Sequence, residues 1–175
     1  MTNFSELARE KAKPGVDIVE TMTPEKAHLW HMATGIAGEA GEILDAAINA
    51  DMENLKEEVG DIRFFMAGLT NGLEWPDAEA DARANHSLQT CAIEVVLLAS
   101  SILDLVKKHC VYNKQLDRAE LSIELETLRR VLAKVMQFIP ATPAEIYAAT
   151  EAKLNKRYKG GYSDAEAQAR KDKVA

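Results

Sequence analysis

Apolar residues recur every three or four positions along most of the chain, which is the spacing of one face of an α-helix. Residues that start and stop helices divide this pattern into segments. Thr23-Pro24-Glu25 combines a hydroxyl N-cap, a proline at the first helical position and an acid in the first turn. The predicted helices cover about 24–49, 51–72, a long stretch from Trp75-Pro76 to about 109, 117–138, 143–160 and a short polar segment after 163. No segment alternates with a period of two, so the sequence predicts an all-α fold.

The first two long helices resemble the next two when the chain is aligned with itself. With an offset of 59 residues in the first helix and 67 in the second, several apolar and charged positions coincide. Two tandem helical hairpins that pack as a four-helix bundle are therefore expected, although two amphipathic helices also match by chance. The single expected domain covers 1–175, with a first hairpin at about 23–72, a second at about 76–138 and a basic C-terminal segment at about 142–171.

Composition excludes several classes of protein. The chain has 175 residues, of which 47% are hydrophobic and 28% charged, so it can bury a core and is not disordered. Its net charge of −7 disfavours binding of duplex nucleic acid. The apolar runs around Val95–Ser101 are too short to span a membrane, and the N-terminus lacks the layout of a signal peptide. Cys91 and Cys110 lack CxxC spacing and are expected to be buried free thiols in a cytoplasmic, reducing compartment.

Four acids on the first hairpin form the strongest candidate site. Glu39 and Glu42 share one helix face, and Glu58 and Asp61 repeat that spacing on the next helix, so the two pairs can face each other. Such carboxylates repel one another, and a divalent cation removes the repulsion. With 28 acids in the chain, a solvated acidic face is the alternative.

Glycines and ligand chemistry sharpen this hypothesis. Gly35, Gly38 and Gly41 are interleaved with the acids, and each costs about 1 kcal/mol inside a helix, which indicates that another helix or a ligand approaches there. Oxygen ligands favour Mg²⁺, with Mn²⁺ able to substitute, because zinc prefers His or Cys and none of the four acids is followed by His at the Glu-x-x-His spacing of di-iron sites.

A basic run, Lys153-Leu-Asn-Lys-Arg-Tyr-Lys-Gly-Gly161, is the second candidate. It is suited to binding phosphates, which a divalent cation would also attract. Four cations near a helix C-terminus also complement the helix dipole, and that simpler role is the alternative.

The pattern ExxE followed by ExxD on paired helices resembles the MazG-like all-α nucleoside triphosphate pyrophosphohydrolases. The segments that carry the resemblance are GEAGEILDA, LKEEVGDIRFFMAGL, KKHCVYNKQLD and KLNKRYKGGYSDAEAQARKDK, the last two being similar to small phage and bacterial members. The second hairpin departs from the pattern, since the acids are replaced by Leu98, Ser101, Leu125 and Leu128. This looks like an internal duplication with one active copy, as in the dimeric dUTPases.

The resemblance implies Mg²⁺-dependent hydrolysis of a nucleoside triphosphate to the monophosphate and pyrophosphate, by a homodimer or higher oligomer. It implies metal ligands at the four acids, with Glu39 as the general base. It also implies phosphate contacts from four residues of the basic run: Lys153, Asn155, Lys156 and Arg157. Trp30, about 13 Å along the helix from Glu39, is a candidate for stacking on the base, or else a core residue.

Substrate preference stays open at this point. A purine nucleotide such as (d)GTP is the first substrate to test, and a dUTPase-like specificity is an alternative. A helical module that assembles with a partner without catalysis is the alternative from another class.

Overall fold

The computed structural model describes residues 3–80, 83 and 86–172, and no β-strand occurs among them. The prediction of an all-α fold is confirmed. The helices are α1 (Phe4–Lys11), α2 (Gly15–Val19), α3 (Pro24–Asn49), α4 (Met52–Gly72), α5 (Leu88–Tyr112), α6 (Arg118–Met136), α7 (Pro143–Arg157) and α8 (Asp164–Ala169).

Side-chain caps begin the long helices where the sequence predicted them. Thr23 accepts a hydrogen bond from the Lys26 amide, and Asp51 accepts one from the Asn54 amide. Thr142 forms a full capping box with Glu145. These bonds satisfy backbone N–H groups that have no partner within the helix.

The long third helix was predicted to begin at the wrong place. Residues 75–80 are not helical, and α5 begins only at Leu88, where the Ser87 side chain accepts from the Thr90 amide. Tertiary contacts account for the difference. Trp75 lies 4.9 Å from the guanidinium of Arg118 on α6, and Asp77 forms an ion pair with Arg63 on α4 at 3.5 Å. The segment after α4 is therefore held to the surface of two helices.

Helices α3 to α6 pack around one hydrophobic core. α3 contacts both α4 and α5, and α6 contacts both α4 and α5. α7 packs on α4, where Gly60 permits a very close approach: a Cβ on it would lie 1.8 Å from Oγ1 of Thr150. This contact directs the basic end of α7 toward the acids of the first hairpin.

Helix α5 is more apolar over its whole length than its short apolar runs suggested. Its mean hydropathy of 1.7 over an 18-residue window and its 25 residues are sufficient, by composition and length alone, to cross a membrane. One face of α5 packs against α3 and α6, and 39% of that window is buried. A core helix of a folded domain also meets these two criteria of length and hydropathy.

The N-caps and the buried arginines of α4 and α6 align at an offset of 66 residues, one fewer than the offset of 67 used in the sequence comparison. Asp117 caps α6 as Asp51 caps α4, each accepting from the amide three residues ahead. Arg63 and Arg129 are both 8% exposed, whereas Arg130, the predicted counterpart of Arg63, is 61% exposed. An offset of 67 therefore aligns the buried Arg63 with the exposed Arg130, whereas an offset of 66 aligns two buried arginines.

An offset of 66 also changes which residues of α6 align with the acids of α4. Leu125 and Leu128 are fully buried, and at an offset of 66 they align with the core residues Val59 and Ile62. At the same offset, Glu58 aligns with Glu124, which is also an acid.

Two predicted substitutes for the acids of α3 lie on α5. Leu98 is only half-buried against the core. The Ser101 hydroxyl donates a hydrogen bond of 2.9 Å to the Glu124 carboxylate, so a hydroxyl contacts an acid within the second hairpin.

Candidate metal centre and its cleft

Three of the four predicted acids converge between α3 and α4. Carboxylate oxygens of Glu39, Glu58 and Asp61 all lie within 4.8 Å of one another. Glu58 is 4% exposed, whereas Glu42 is exposed and lines the same cleft. The i,i+3 spacing on each helix, together with the short connection that makes the helices antiparallel neighbours, brings these side chains together.

The electrostatics of this cluster are those of crowded, partly buried acids. Burial, followed by the hydrogen bond with Glu39, raises the pKa of Glu58 to about 8. The pKa of Glu39 is also raised, mainly by burial. Glu39 and Glu58 therefore share a proton near neutral pH, because burial disfavours two adjacent negative charges.

The donor set fits a hard divalent cation. All the converging atoms are carboxylate oxygens, the ligands that Mg²⁺, Mn²⁺ and Ca²⁺ prefer. The buried Glu58 has another carboxyl group as its hydrogen-bond partner, and a cation would stabilise its charged form. Glu39, Glu58 and Asp61 are the residues positioned to share such an ion, with Glu42 beside them.

Lys153 of α7 reaches directly into the acidic cluster. Its ammonium forms a very short ion pair with Asp61 and lies 3.1 Å from Oε1 of Glu57. Its side chain is 15% exposed. The sequence placed Lys153 with the phosphate-binding residues, but gave no indication that it contacts the candidate metal ligands.

The other residues of the basic run occupy different positions. Asn155 and Arg157 line the cleft, while the exposed Lys156 is not among its lining residues. Arg157 donates two hydrogen bonds to Asp172, with Nε at 2.7 Å from Oδ1. Asp172 is 1% exposed, and Arg157 lowers the pKa of its carboxyl to about 2. The structure thus gives Arg157 an anionic partner within the chain, a contact that the sequence did not reveal.

The cleft above the acids has a volume of about 1010 Å³ and aromatic walls. Its aromatic lining residues are His31, Phe64, Phe65, Tyr158 and Tyr162. None of these five residues was among the site residues predicted from the sequence. Phe64 and Phe65 follow Asp61 by three and four residues, so helical spacing alone places them one turn from a candidate ligand.

Trp30 does not line this cleft in the described part of the chain, and it packs instead, half-buried, against the core. Nine residues separate it from Glu39, which is two and a half helical turns. The two side chains therefore leave α3 on opposite sides. The stacking role considered for Trp30 depended on distance along the axis and ignored this rotation.

The glycines of α3 play two different roles. A Cβ on Gly35 would lie 2.3 Å from the Phe65 ring, so this glycine permits close helix packing. A Cβ on Gly38 or Gly41 would meet nothing within 4 Å. The predicted open side of the helix beside the acids is therefore present at these two positions.

Comparisons with protein-family models, with curated proteins and with solved structures found no match. The resemblance to MazG-like enzymes accordingly rests on the residues quoted above.

Proposed function

We propose that this protein is a divalent-cation-dependent nucleoside triphosphate pyrophosphohydrolase that releases the monophosphate and pyrophosphate. The observation that carries the proposal is the convergence of Glu39, Glu58 and Asp61 on the floor of a large cleft with a cationic side. An acidic face that served only for solubility would not place Glu58, 4% exposed, against another carboxyl group.

The acids and the cationic residues of the cleft have different roles in binding a triphosphate. Glu39, Glu58 and Asp61 would hold Mg²⁺, and the chemistry such an ion would supply is neutralisation of phosphate charge and a lowered pKa of bound water. Glu39 accepts a proton from the attacking water, a role consistent with its raised pKa. Lys153, Asn155 and Arg157 line the same cleft and donate to phosphate oxygens.

The aromatic wall provides a place for the base. Phe64 is 47% exposed and borders the cleft beside Phe65, whose ring makes an edge contact with His31 at 5.9 Å. Exposed aromatic faces stack on nucleobases with little sequence preference. We assign base stacking to this wall and not to Trp30.

The test is a panel of ribo- and deoxyribonucleoside triphosphates with Mg²⁺, in which pyrophosphate and monophosphate are both quantified. Formation of pyrophosphate in an amount equal to that of monophosphate is expected, and it should disappear with EDTA. (d)GTP is the first substrate to try, and exclusive turnover of dUTP would identify a dUTPase-like specificity.

Matched variants separate catalysis from a purely structural role. Glu39→Gln should abolish turnover, whereas Glu126→Gln removes one acid from α6, away from the cleft-lining residues, and should leave turnover unchanged. A chain that binds no divalent cation and turns over no triphosphate would favour the non-enzymatic helical module.

A further inference from the structure

We infer that Lys153 is an internal counter-ion that competes with the divalent cation for Asp61 and becomes available to phosphates only when the cation is bound. This inference rests on the proposed function and adds an order to it, with the cation binding before the nucleotide.

The geometry around Lys153 supports the competition. Its ammonium contacts both carboxylate oxygens of Asp61 and one of Glu57. The side chains of Lys153 and Asp61 are only 15% and 22% exposed, so water screens the pair weakly. An ammonium and a metal ion at the same carboxylate repel each other, so a cation that binds Asp61 weakens its contact with Lys153.

Helix packing fixes where the ammonium can go. Lys153 lies one turn beyond Thr150, whose hydroxyl is in tight contact with Gly60 on α4. The backbone of α7 is thereby held close to α4, and the side chain alone must move. Lys153 lines the large cleft, so an ammonium that leaves Asp61 remains beside the space proposed for the phosphates.

The charge balance predicts the order of binding. While Lys153 is paired with Asp61 and Glu57, its ammonium offers less positive charge to a triphosphate. The neighbouring acids also repel the triphosphate. Once a cation replaces the ammonium, the acids repel the triphosphate less, and the ammonium of Lys153 is released into the cleft. Cation and triphosphate binding are therefore positively coupled through one side chain.

The first experiment measures the reactivity of Lys153 in the full chain. Lysines are acetylated with an N-hydroxysuccinimide ester, with and without saturating Mg²⁺, and quantified by mass spectrometry. We expect the labelling rate of Lys153 to rise several-fold with Mg²⁺, while that of the exposed Lys159 stays constant. A rate at Lys153 that does not rise with saturating Mg²⁺ would overturn the inference.

The second experiment measures Mn²⁺ affinity by calorimetry in the absence of nucleotide. Lys153→Gln should bind Mn²⁺ at least about fivefold more tightly than the wild type, since couplings between linked sites are typically 5–150-fold. Lys159→Gln removes the same charge from the same basic run and should change the affinity less than about twofold. Equal affinities in the two variants would count against direct competition.

The outcomes distinguish this inference from the proposed function. If the wild type binds Mn²⁺ and releases pyrophosphate but Lys153 shows no response, only the competition is wrong. If neither Mn²⁺ nor Mg²⁺ binds, as judged by calorimetry and thermal stability, both proposals fail together.

Discussion

The pKa of Glu58 leads to a prediction about stability that needs no substrate. In the unfolded chain this carboxyl has an ordinary pKa near 4.5, and in the folded protein its pKa is about 8. Between these values the folded state holds more protons than the unfolded state. The free energy of unfolding therefore decreases as pH rises through this window, being largest below about pH 4.5 and smallest above about pH 8.

The magnitude follows from proton linkage. One excess proton in the folded state corresponds to at most about 1.4 kcal/mol for each unit of pH. Sharing of the proton with Glu39 and partial solvation reduce this, so we expect a loss of roughly 2 kcal/mol between about pH 5.5 and pH 7.5. Asp172, with its pKa near 2, titrates below this range and does not contribute.

Glu58→Gln isolates the effect because glutamine resembles the protonated acid and cannot ionise. Urea unfolding in EDTA at several pH values should show a flatter dependence for the variant. The variant should nearly match the wild type at pH 5 and be about 2 kcal/mol more stable at pH 8. Parallel curves for the two proteins across this range would refute the assignment of the raised pKa.

Further expectations concern metal linkage, catalysis, packing and the C-terminal segment. Mg²⁺ should raise the melting temperature at pH 8 and much less at pH 5.5, because protons compete with the cation for the carboxylates; an equal rise at both would contradict carboxylate coordination. Glu39→Gln should lower kcat/KM by about a hundredfold or more without lowering the metal-free melting temperature, because it removes one of the crowded carboxylates. Leu125→Glu should destabilise by several kcal/mol in urea unfolding, whereas Ile123→Glu, at a position 67% exposed, should change stability by about 0.5 kcal/mol or less. Arg157→Ala should speed hydrogen exchange in residues 158–172 as well as lower kcat/KM, because it also breaks the ion pair with Asp172; unchanged exchange would show that this pair does not hold the segment.

Local rules accounted for most helix boundaries. The sequence identified caps at Thr23, Asp51 and Thr142, since capping involves atoms only three residues apart in the chain. The start of α5 was missed because residues 75–80 are held by ion pairs and an aromatic contact with other helices. The sequence of that segment does not indicate that Arg63 and Arg118 are its partners.

At the candidate site, too, local spacing predicted some features and not others. The i,i+3 spacing within each helix was sufficient to predict that Glu39, Glu58 and Asp61 converge, because one short connection makes the two helices neighbours. The rotation that directs Trp30 away from the acids was also contained in the spacing, although the prediction used only the distance along the axis.

By itself, the sequence determined the all-α class, the caps and the pairing of acids across one hairpin, since each depends on residues that are near one another in the chain. Only the tertiary structure decided that Lys153 lies among the acids, 92 residues beyond Asp61, and that Arg157 is paired with Asp172. Those contacts depend on how α7 packs against α4 through Gly60 and on how the C-terminal segment returns to α7. Such packing reflects the shape and burial of surfaces from distant parts of the chain, which no local spacing encodes.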